Sequence, residues 1–397
     1  MNWKRDIVED PYISLTLVLL VIVGAASFYV HSYVGLGIFL LMILYFRVHQ
    51  WYLMKIGEGI SIGRTTKRIR LHCDEEQNWE FQLQNKGMSI WGATLKITFK
   101  DIVIPTMHPY SSGVEDKIEV SVPFSIRKNE EGSISIPVRG KRRGLCKITN
   151  MQLEIPHLFG SGKVLLDLLD NVPSTIIVFP SDSPVKMAEQ KLTWKQGDVP
   201  IQHSLFHDVF HQIGTRDYIQ GDRFQDVHWK ATARTGSLQT KIYAPATQRE
   251  WMIAINLSDR YAITNQLEEI IQYASYMMRL AVEQNITFSL VLNVRSQGGT
   301  PYYYLPPGIG RVHRQRGMEM LSTLSTDEFT IPFHIVLKHL YLRQLVPSVF
   351  ITAGALGARE EVLLTKIEKQ KIQVYKLNSE QKQGVVTLWN RSLKVPS

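Results

Sequence analysis

At 397 residues the chain has room for two or three domains of about 100–200 residues each, and a 44% hydrophobic fraction excludes a chain without real cores. Its two cysteines, Cys73 and Cys146, stand far apart and exclude a cysteine metal or redox motif. The net charge of +9 suits anionic lipid or nucleic acid, but basic residues flanking membrane segments explain it more simply.

Ile13 to Val30 is almost wholly apolar, with Pro11 at its first turn, and approaches the ~20 residues that span a bilayer. A second run, Tyr33 to Phe46, lengthens through Val48 and Trp51 to Met54 if Arg47 snorkels to the interface. His31 and Ser32 separate the runs, which predicts a transmembrane helical hairpin. A secretory signal is the competing reading, with Lys4 and Arg5 as its basic region and Ala25-Ala26-Ser27 as its cleavage site. The length of the first run and the second run directly after it favour the hairpin. Lys4 and Arg5 precede it, and Arg47, Lys55, Arg64, Lys67, Arg68 and Arg70 follow. The positive-inside rule then puts both ends, and the body from about Lys55 onward, in the cytoplasm.

From Lys67 to Phe179 the chain reads as short strands broken by turns such as Asn85-Lys86-Gly87, Asn129 to Gly132 and Lys141 to Gly144. That spacing predicts a β-sandwich. Both cysteines fall in strand-like segments and read as buried free thiols, with a disulfide left open. The basic turn Lys141 to Arg143 reads as a solvated hairpin tip rather than a phosphate contact.

His203, His207 and His211 stand at helical spacing. They read as an ordinary amphipathic helix in preference to a zinc face, because no carboxylate sits at the matching position. Gly214 to Tyr243 then packs charged, aromatic and glycine residues together. Asp226 is placed to cap a short helix, Val227 to Arg234, and Thr235-Gly236-Ser237 to end it. Leu238 to Tyr243 alternates as a strand with two faces.

Beyond this stretch strands and helices alternate. Strands are expected over Trp251 to Leu257, Thr287 to Val294, Pro301 to Leu305, Ser348 to Thr352 and Ile372 to Leu377. Helices are expected over Asn265 to Gln284, Gly317 to Leu324, Pro332 to Leu345 and Arg359 to Lys369. This rhythm predicts a parallel sheet covered by helices, with any ligand beyond the strands' carboxyl ends. No phosphate-binding loop, Gly-x-Ser-x-Gly elbow or His-Glu-x-x-His helix is present.

Gly214, Arg216, Asp217, Tyr218, Gly221, Asp222, Trp229, Ala233 and Arg234 resemble, in order and spacing, the hallmark of the bacterial domain of unknown function 58 family. Arg143-Gly144 and Ile155-Pro156-His157-Leu158-Phe159-Gly160 resemble a second family pattern, without its acidic residue. The loops at Asn256-Leu257-Ser258-Asp259-Arg260 and Ile351-Thr352-Ala353-Gly354 look like those of von Willebrand factor type A domains. Those domains hold a divalent cation with acidic and hydroxyl residues. Here Asn256, Arg260 and Ala353 replace three of them, which leaves Asn256, Ser258 and Thr352 as a degenerate cation site expected to hold no metal.

The resulting expectation is a multidomain fold: a transmembrane hairpin over residues 1–54, a β-sandwich over 55–180, and a Rossmann-like, von Willebrand type A-like α/β domain over 181–397. The expected role is a multi-pass membrane scaffold without cofactor, to which the family resemblance adds partners. Its implied partners are a MoxR-type AAA+ ATPase and a transglutaminase-like membrane protein, in envelope or complex maturation. The interaction motif would be Gly214, Arg216, Asp217, Tyr218, Gly221, Asp222, Trp229 and Arg234. The same charged residues could instead neutralise one another as pure structure. Three further readings remain: a cation-dependent adhesion module, an enzyme using Asp217 or Asp222, and nucleic-acid binding, which is the weakest because basic and aromatic residues do not interleave.

Overall fold

The computed structural model describes residues 3–8, 12–63, 68–107, 109–112, 116–157, 162–170, 172, 174–187, 207–245, 250–259, 262–296, 298–325, 328–380 and 383–389. It is multidomain and rich in antiparallel sheet, and forms two compact units, Met1–Ser181 with Met318–Ser325, and Asp182–Gly317 with Thr326–Ser397.

In the first unit an eight-stranded sheet and a four-stranded sheet share one apolar core. Period-two alternation builds it. In Glu76–Asn85, Trp79, Phe81 and Leu83 point inward while Glu80 and Gln82 face water. From the other sheet Leu95, Ile97 and Phe99 of Ile90–Lys100 meet them, with the Trp79 and Phe99 rings 5.4 Å apart, edge to face. All strand pairs are antiparallel except Thr175–Phe179 with Arg68–His72.

Two helices, α1 (Tyr12–Tyr29) and α2 (Tyr33–Lys55), belong to the same unit. Ser32 caps α2 by accepting the Gly35 amide at 3.3 Å. The helices touch through small residues: a Cβ on Gly35 would lie 2.3 Å from the Ser27 hydroxyl, and one on Gly24 2.5 Å from the Phe39 ring. Among the described residues α2 alone is long and apolar enough to cross a membrane.

The basic stretch before α1 is more than a flank. Trp3–Val8 is a strand, paired antiparallel with Lys163–Leu168. From it the Arg5 guanidinium donates to the Met54 carbonyl and, at 2.9 Å, to the Ile56 carbonyl. These are carbonyls that the end of α2 leaves without an intrahelical partner, and a cation there opposes the negative end of the helix dipole. Trp3 adds a bond from its indole N–H to the Ile60 carbonyl at 3.0 Å. Sequence periodicity missed this strand because it is short and largely exposed.

The strand Gly144–Pro156 ends where the bend was expected, and the His157 ring lies 4.0 Å from that of His49 on α2. Leu158 to Gly160 fall outside the described residues. The basic tip is solvated but paired, Lys141 with Asp101 at 2.5 Å and Arg142 with Asp116 at 3.0 Å.

Both thiols are free. Cys146 is fully buried, and desolvation pushes its thiol up to about 12. Native protein at pH 8 is therefore expected to expose no more than Cys73 to a disulfide-exchange reagent, and both thiols after denaturation. Fast modification of Cys146 in the folded state would contradict this packing.

The second unit holds a seven-stranded sheet in the order Val185–Met187, Gln383–Leu388, Gln373–Glu380, Val349–Ala353, Glu250–Ile255, Thr287–Arg295, Tyr302–Gly308. Its four central neighbours from Gln373–Glu380 to Thr287–Arg295 run parallel. The helices beyond α2 are α3 (Trp229–Thr235), α4 (Leu267–Glu283), α5 (Gly310–Thr323), α6 (Phe333–Leu342) and α7 (Ala358–Glu368). The expected face of α4 is the buried one, including Ile270, Ile271, Ala274, Met277, Met278 and Ala281. From α6 and α7, Val336, Leu337, Leu364 and Ile367 pack with Met252, Ala254, Phe350 and Val374 of the sheet.

The expected histidine helix is corrected. His207–Asp217 is a strand, paired antiparallel with Gln239–Pro245 through two irregularities. Spacing of i, i+4 suits one face of a strand as well as of a helix, and cross-strand hydrogen bonds decide between them. His203 lies outside the described residues.

Candidate functional site

The strands His207–Asp217 and Gln239–Pro245 form a two-stranded ribbon that joins none of the three larger sheets. The motif loop hangs between them: a 3₁₀ turn, Phe224–Asp226, then α3. Asp226 is therefore not the helix cap. His228 is, its ring Nδ1 accepting the Ala231 amide at 3.0 Å, because the intervening turn displaces Asp226 from the helix start. Gly236, at φ 74°, ends α3 in the left-handed region as its sequence context suggests.

One ion pair organises the loop. Arg216 grips Asp222 with both terminal nitrogens, each at 2.7 Å. Asp222 also accepts the Ile219 amide and the Thr240 hydroxyl, both at 3.0 Å. Its backbone carbonyl accepts the Tyr218 hydroxyl at 3.2 Å. The Arg216 bond, then the Ile219 amide, hold the Asp222 carboxyl well below the usual carboxylate range. Gln239 donates to Asp217 at 2.5 Å, and Thr232 accepts the Gln239 amide at 3.0 Å. Gly221 takes the turn at φ 117°, and Gly214 lies within the ribbon.

The clamp groups thus bond one another and Val227 is buried, while several large apolar side chains of the loop face water. Phe224 is 65% exposed, Ile219 61% and Trp229 58%. Leu238 and Ile242 are exposed as well, whereas Gln239 and Thr240 are buried, the reverse of a strand that sends its apolar face to a core. Phe224 and Trp229 stand edge to face with ring centres 5.3 Å apart. Among the expected site residues, Arg216, Asp217, Tyr218, Asp222 and Trp229 converge on this loop, and Arg234 is exposed on α3. Sequence reasoning missed Phe224, Gln239 and Thr240. The inward pair Gln239–Thr240 has no periodic signal, since adjacent residues of a strand ought to face opposite ways.

This geometry argues against Asp222 as a general base. A general base needs a pKa near the working pH and an accessible lone pair. Asp222 has a depressed pKa, and Arg216, Ile219 and Thr240 occupy its oxygens.

At the carboxyl end of the parallel strands, Asn256 and Ser258 do come together, with Asn293 as an unforeseen third member. The Asn256 side-chain oxygen accepts the Ser258 hydroxyl at 2.7 Å, the Ser258 amide at 3.1 Å and the Asn293 side-chain amide at 2.8 Å. That Asn293 nitrogen also donates to the Ser258 hydroxyl at 3.1 Å and the Ile331 carbonyl at 3.0 Å. A neutral amide thus stands among the oxygens that a cation would need. Thr352 is buried in its strand and shares no hydrogen bond with this group. An asparagine inside the apolar run Thr287–Arg295 is the sequence signal for Asn293, because a buried amide demands partners. No group of three or more His, Cys, Asp or Glu able to hold a metal occurs among the described residues. Titration with magnesium or manganese is expected to give no saturable heat; a saturable isotherm lost in Ser258→Ala would overturn this reading.

Residues 214–330 match the family described as Protein of unknown function DUF58, which supports the resemblance read from the motif. No curated protein matches the chain. Among solved structures, the chain is similar to a non-cellulosomal cohesin from the hyperthermophilic archaeon Archaeoglobus fulgidus, at 12% identity over 28% of this chain and 86% of that one, with a TM-score of 0.18. It is also similar to the C-terminal domain of wzt, at 8% identity over 31% and 75% with a TM-score of 0.22. A cohesin module from a Clostridium perfringens family 33 glycoside hydrolase matches at 9% identity over 30% and 95%, with a TM-score of 0.20. Similarities this slight carry no argument about function.

Proposed function

We propose that this protein is a membrane-anchored, non-enzymatic scaffold whose motif loop docks a protein partner. The observation that carries the reading is the loop's construction: Arg216 and Asp222 are spent on their mutual clamp, while Phe224 and Trp229 face solvent. The ribbon supports the same reading. A two-stranded ribbon is marginally stable alone, and a partner would complete it.

The anchor is a helical hairpin of α1 and α2. Strand Trp3–Val8 before it and strand Ile60–Ile62 after it both lie in the first unit. A helix pair that leaves one folded unit and returns to it has both ends on one side of a bilayer. The basic residues at those ends favour the cytoplasmic side, making the protein multi-pass with cytoplasmic domains. The first unit is a β-sandwich. The second is a Rossmann-like, von Willebrand type A-like domain whose cation site has been replaced by amides.

By the family resemblance the partner is a MoxR-type AAA+ ATPase, with a transglutaminase-like membrane protein as a further candidate, in envelope or complex maturation. Affinity purification from gently solubilised native membranes, followed by mass spectrometry, tests this. An ATPase recovered with the wild type and lost from folded Trp229→Ala supports docking through the motif. Equal recovery with both proteins, or no partner with either, sinks it.

A further inference from the structure

The chemistry of the docking loop also specifies what kind of segment fits it, an inference that rests on the docking reading above. Residues 214–242 carry five cations, Arg216, Arg223, Lys230, Arg234 and Lys241, against three carboxylates, Asp217, Asp222 and Asp226. The carboxylates are already engaged. Asp222 is clamped by Arg216, Asp217 accepts from Gln239, and Asp226 has an interaction of its own. Arg223, Lys230 and Arg234 are exposed and form no ion pair among the described residues.

Their placement is specific. Arg223 adjoins Phe224, and Lys230 adjoins Trp229. Lys230 and Arg234 stand at i, i+4 on α3, where side chains are neighbours about 5–6 Å apart between their Cβ atoms. Two like charges in that relation destabilise so short a helix, and an anion set between them removes the repulsion. Beside them the Phe224–Trp229 pair offers an apolar wall that water now covers.

We propose that this surface takes an acidic protein segment carrying an apolar anchor. A carboxylate sits between Lys230 and Arg234, a second acidic group meets Arg223, and an aromatic or leucine side chain packs on Phe224 and Trp229. A protein segment fits better than a bilayer or a nucleic acid. The free cations are few and sit at discrete spacings matched to individual carboxylates. Three phosphate contacts give only a shallow salt dependence, and each ring already uses the other as a neighbour instead of offering an open face for base stacking.

The test uses the full chain in detergent micelles as bait for a displayed library of random peptides. Selected peptides should be rich in Asp and Glu around an aromatic residue or leucine. They should bind Trp229→Ala roughly tenfold more weakly, as for an aromatic hot spot. The double variant Lys230→Glu with Arg234→Glu should reject them and select basic peptides instead. Circular dichroism confirms that each variant is folded. Selection of neutral or basic peptides by the wild type, or no enrichment, overturns the proposal. So does a preference for phosphatidylglycerol vesicles or single-stranded DNA that is lost in the same double variant. The outcomes separate from those of the docking reading: a partner recovered from native membranes through Trp229, together with peptides that are not acidic, leaves docking intact and rejects acidic recognition alone.

Discussion

Arg216→Ala is expected to lose the native partner as completely as Trp229→Ala does, but for a different reason. Trp229 is 58% exposed and contributes contact area, so its removal leaves the loop in place. Arg216 contributes position. Without it, Asp222 keeps only the Ile219 amide and the Thr240 hydroxyl, and the turn from Tyr218 to Asp226 is no longer tied to the ribbon at two points. Amide exchange at Ile219, Asp222 and Val227 should therefore quicken in Arg216→Ala and stay unchanged in Trp229→Ala, while binding falls roughly tenfold or more in both, as at interface hot spots. The unfolding midpoint of the second unit should hardly move, since the clamp lies outside its core.

The pH dependence has a definite sign. A carboxyl whose folded pKa is depressed contributes stability above its unfolded value, near 3.9 for Asp, and loses it as pH falls through the folded value. Asp222 is held well below the usual range by Arg216, so the wild-type loop should stay protected at pH 4. In Arg216→Ala the main cause of that depression is gone, and the loop should loosen as pH falls toward 4. Equal protection of both proteins at that pH would show that the clamp does not hold the loop.

Much of this architecture was legible from periodicity. The face of α4 was readable because its apolar residues recur at helical spacing, and the parallel strands because each is a short apolar run. What stayed hidden was set by partners distant in the sequence. Trp3–Val8 is a strand only because Lys163–Leu168 receives it, and Arg5 matters because α2 ends beside it. His207–Asp217 carries a spacing that fits two structures, and pairing with Gln239–Pro245 chooses one. In the candidate site, the motif marked the clamp residues by type, while the direction in which Phe224 points emerges only from the fold. Asn256 and Ser258 were picked out in the sequence only by the resemblance of their loop to a cation-binding one. Asn293, which donates to both, comes from a different strand and could be suspected only as a polar residue in an apolar run.

The largest stability effect is expected at Trp79. Its side chain is fully buried, touches Phe81 and Phe99 with ring centres 5.4 Å away in both cases, and donates its indole N–H to the Ser174 hydroxyl at 2.6 Å. Trp79→Ala removes that volume and leaves the buried Ser174 hydroxyl without its donor. Core truncations of this size cost about 3–5 kcal/mol, a large part of the ~5–15 kcal/mol that holds a domain together. Trp79→Phe refills most of the space and should cost less, chiefly the lost hydrogen bond, about 1–3 kcal/mol. Denaturant unfolding in detergent, followed by near-ultraviolet circular dichroism, should rank the variants wild type, Phe, Ala. The consequence reaches α2, because Leu53 and Ile56 at its end belong to the same core as Trp79. When that core loosens, the site where Arg5 grips the last carbonyls of α2 loosens with it. Trypsin should therefore cut after Lys55 faster in Trp79→Ala than in the wild type, in proportion to the loss of stability. If cleavage there is unchanged while the core is clearly destabilised, the end of α2 is held independently, and the strand Trp3–Val8 becomes the element that fixes α2 to the sheets of the first unit.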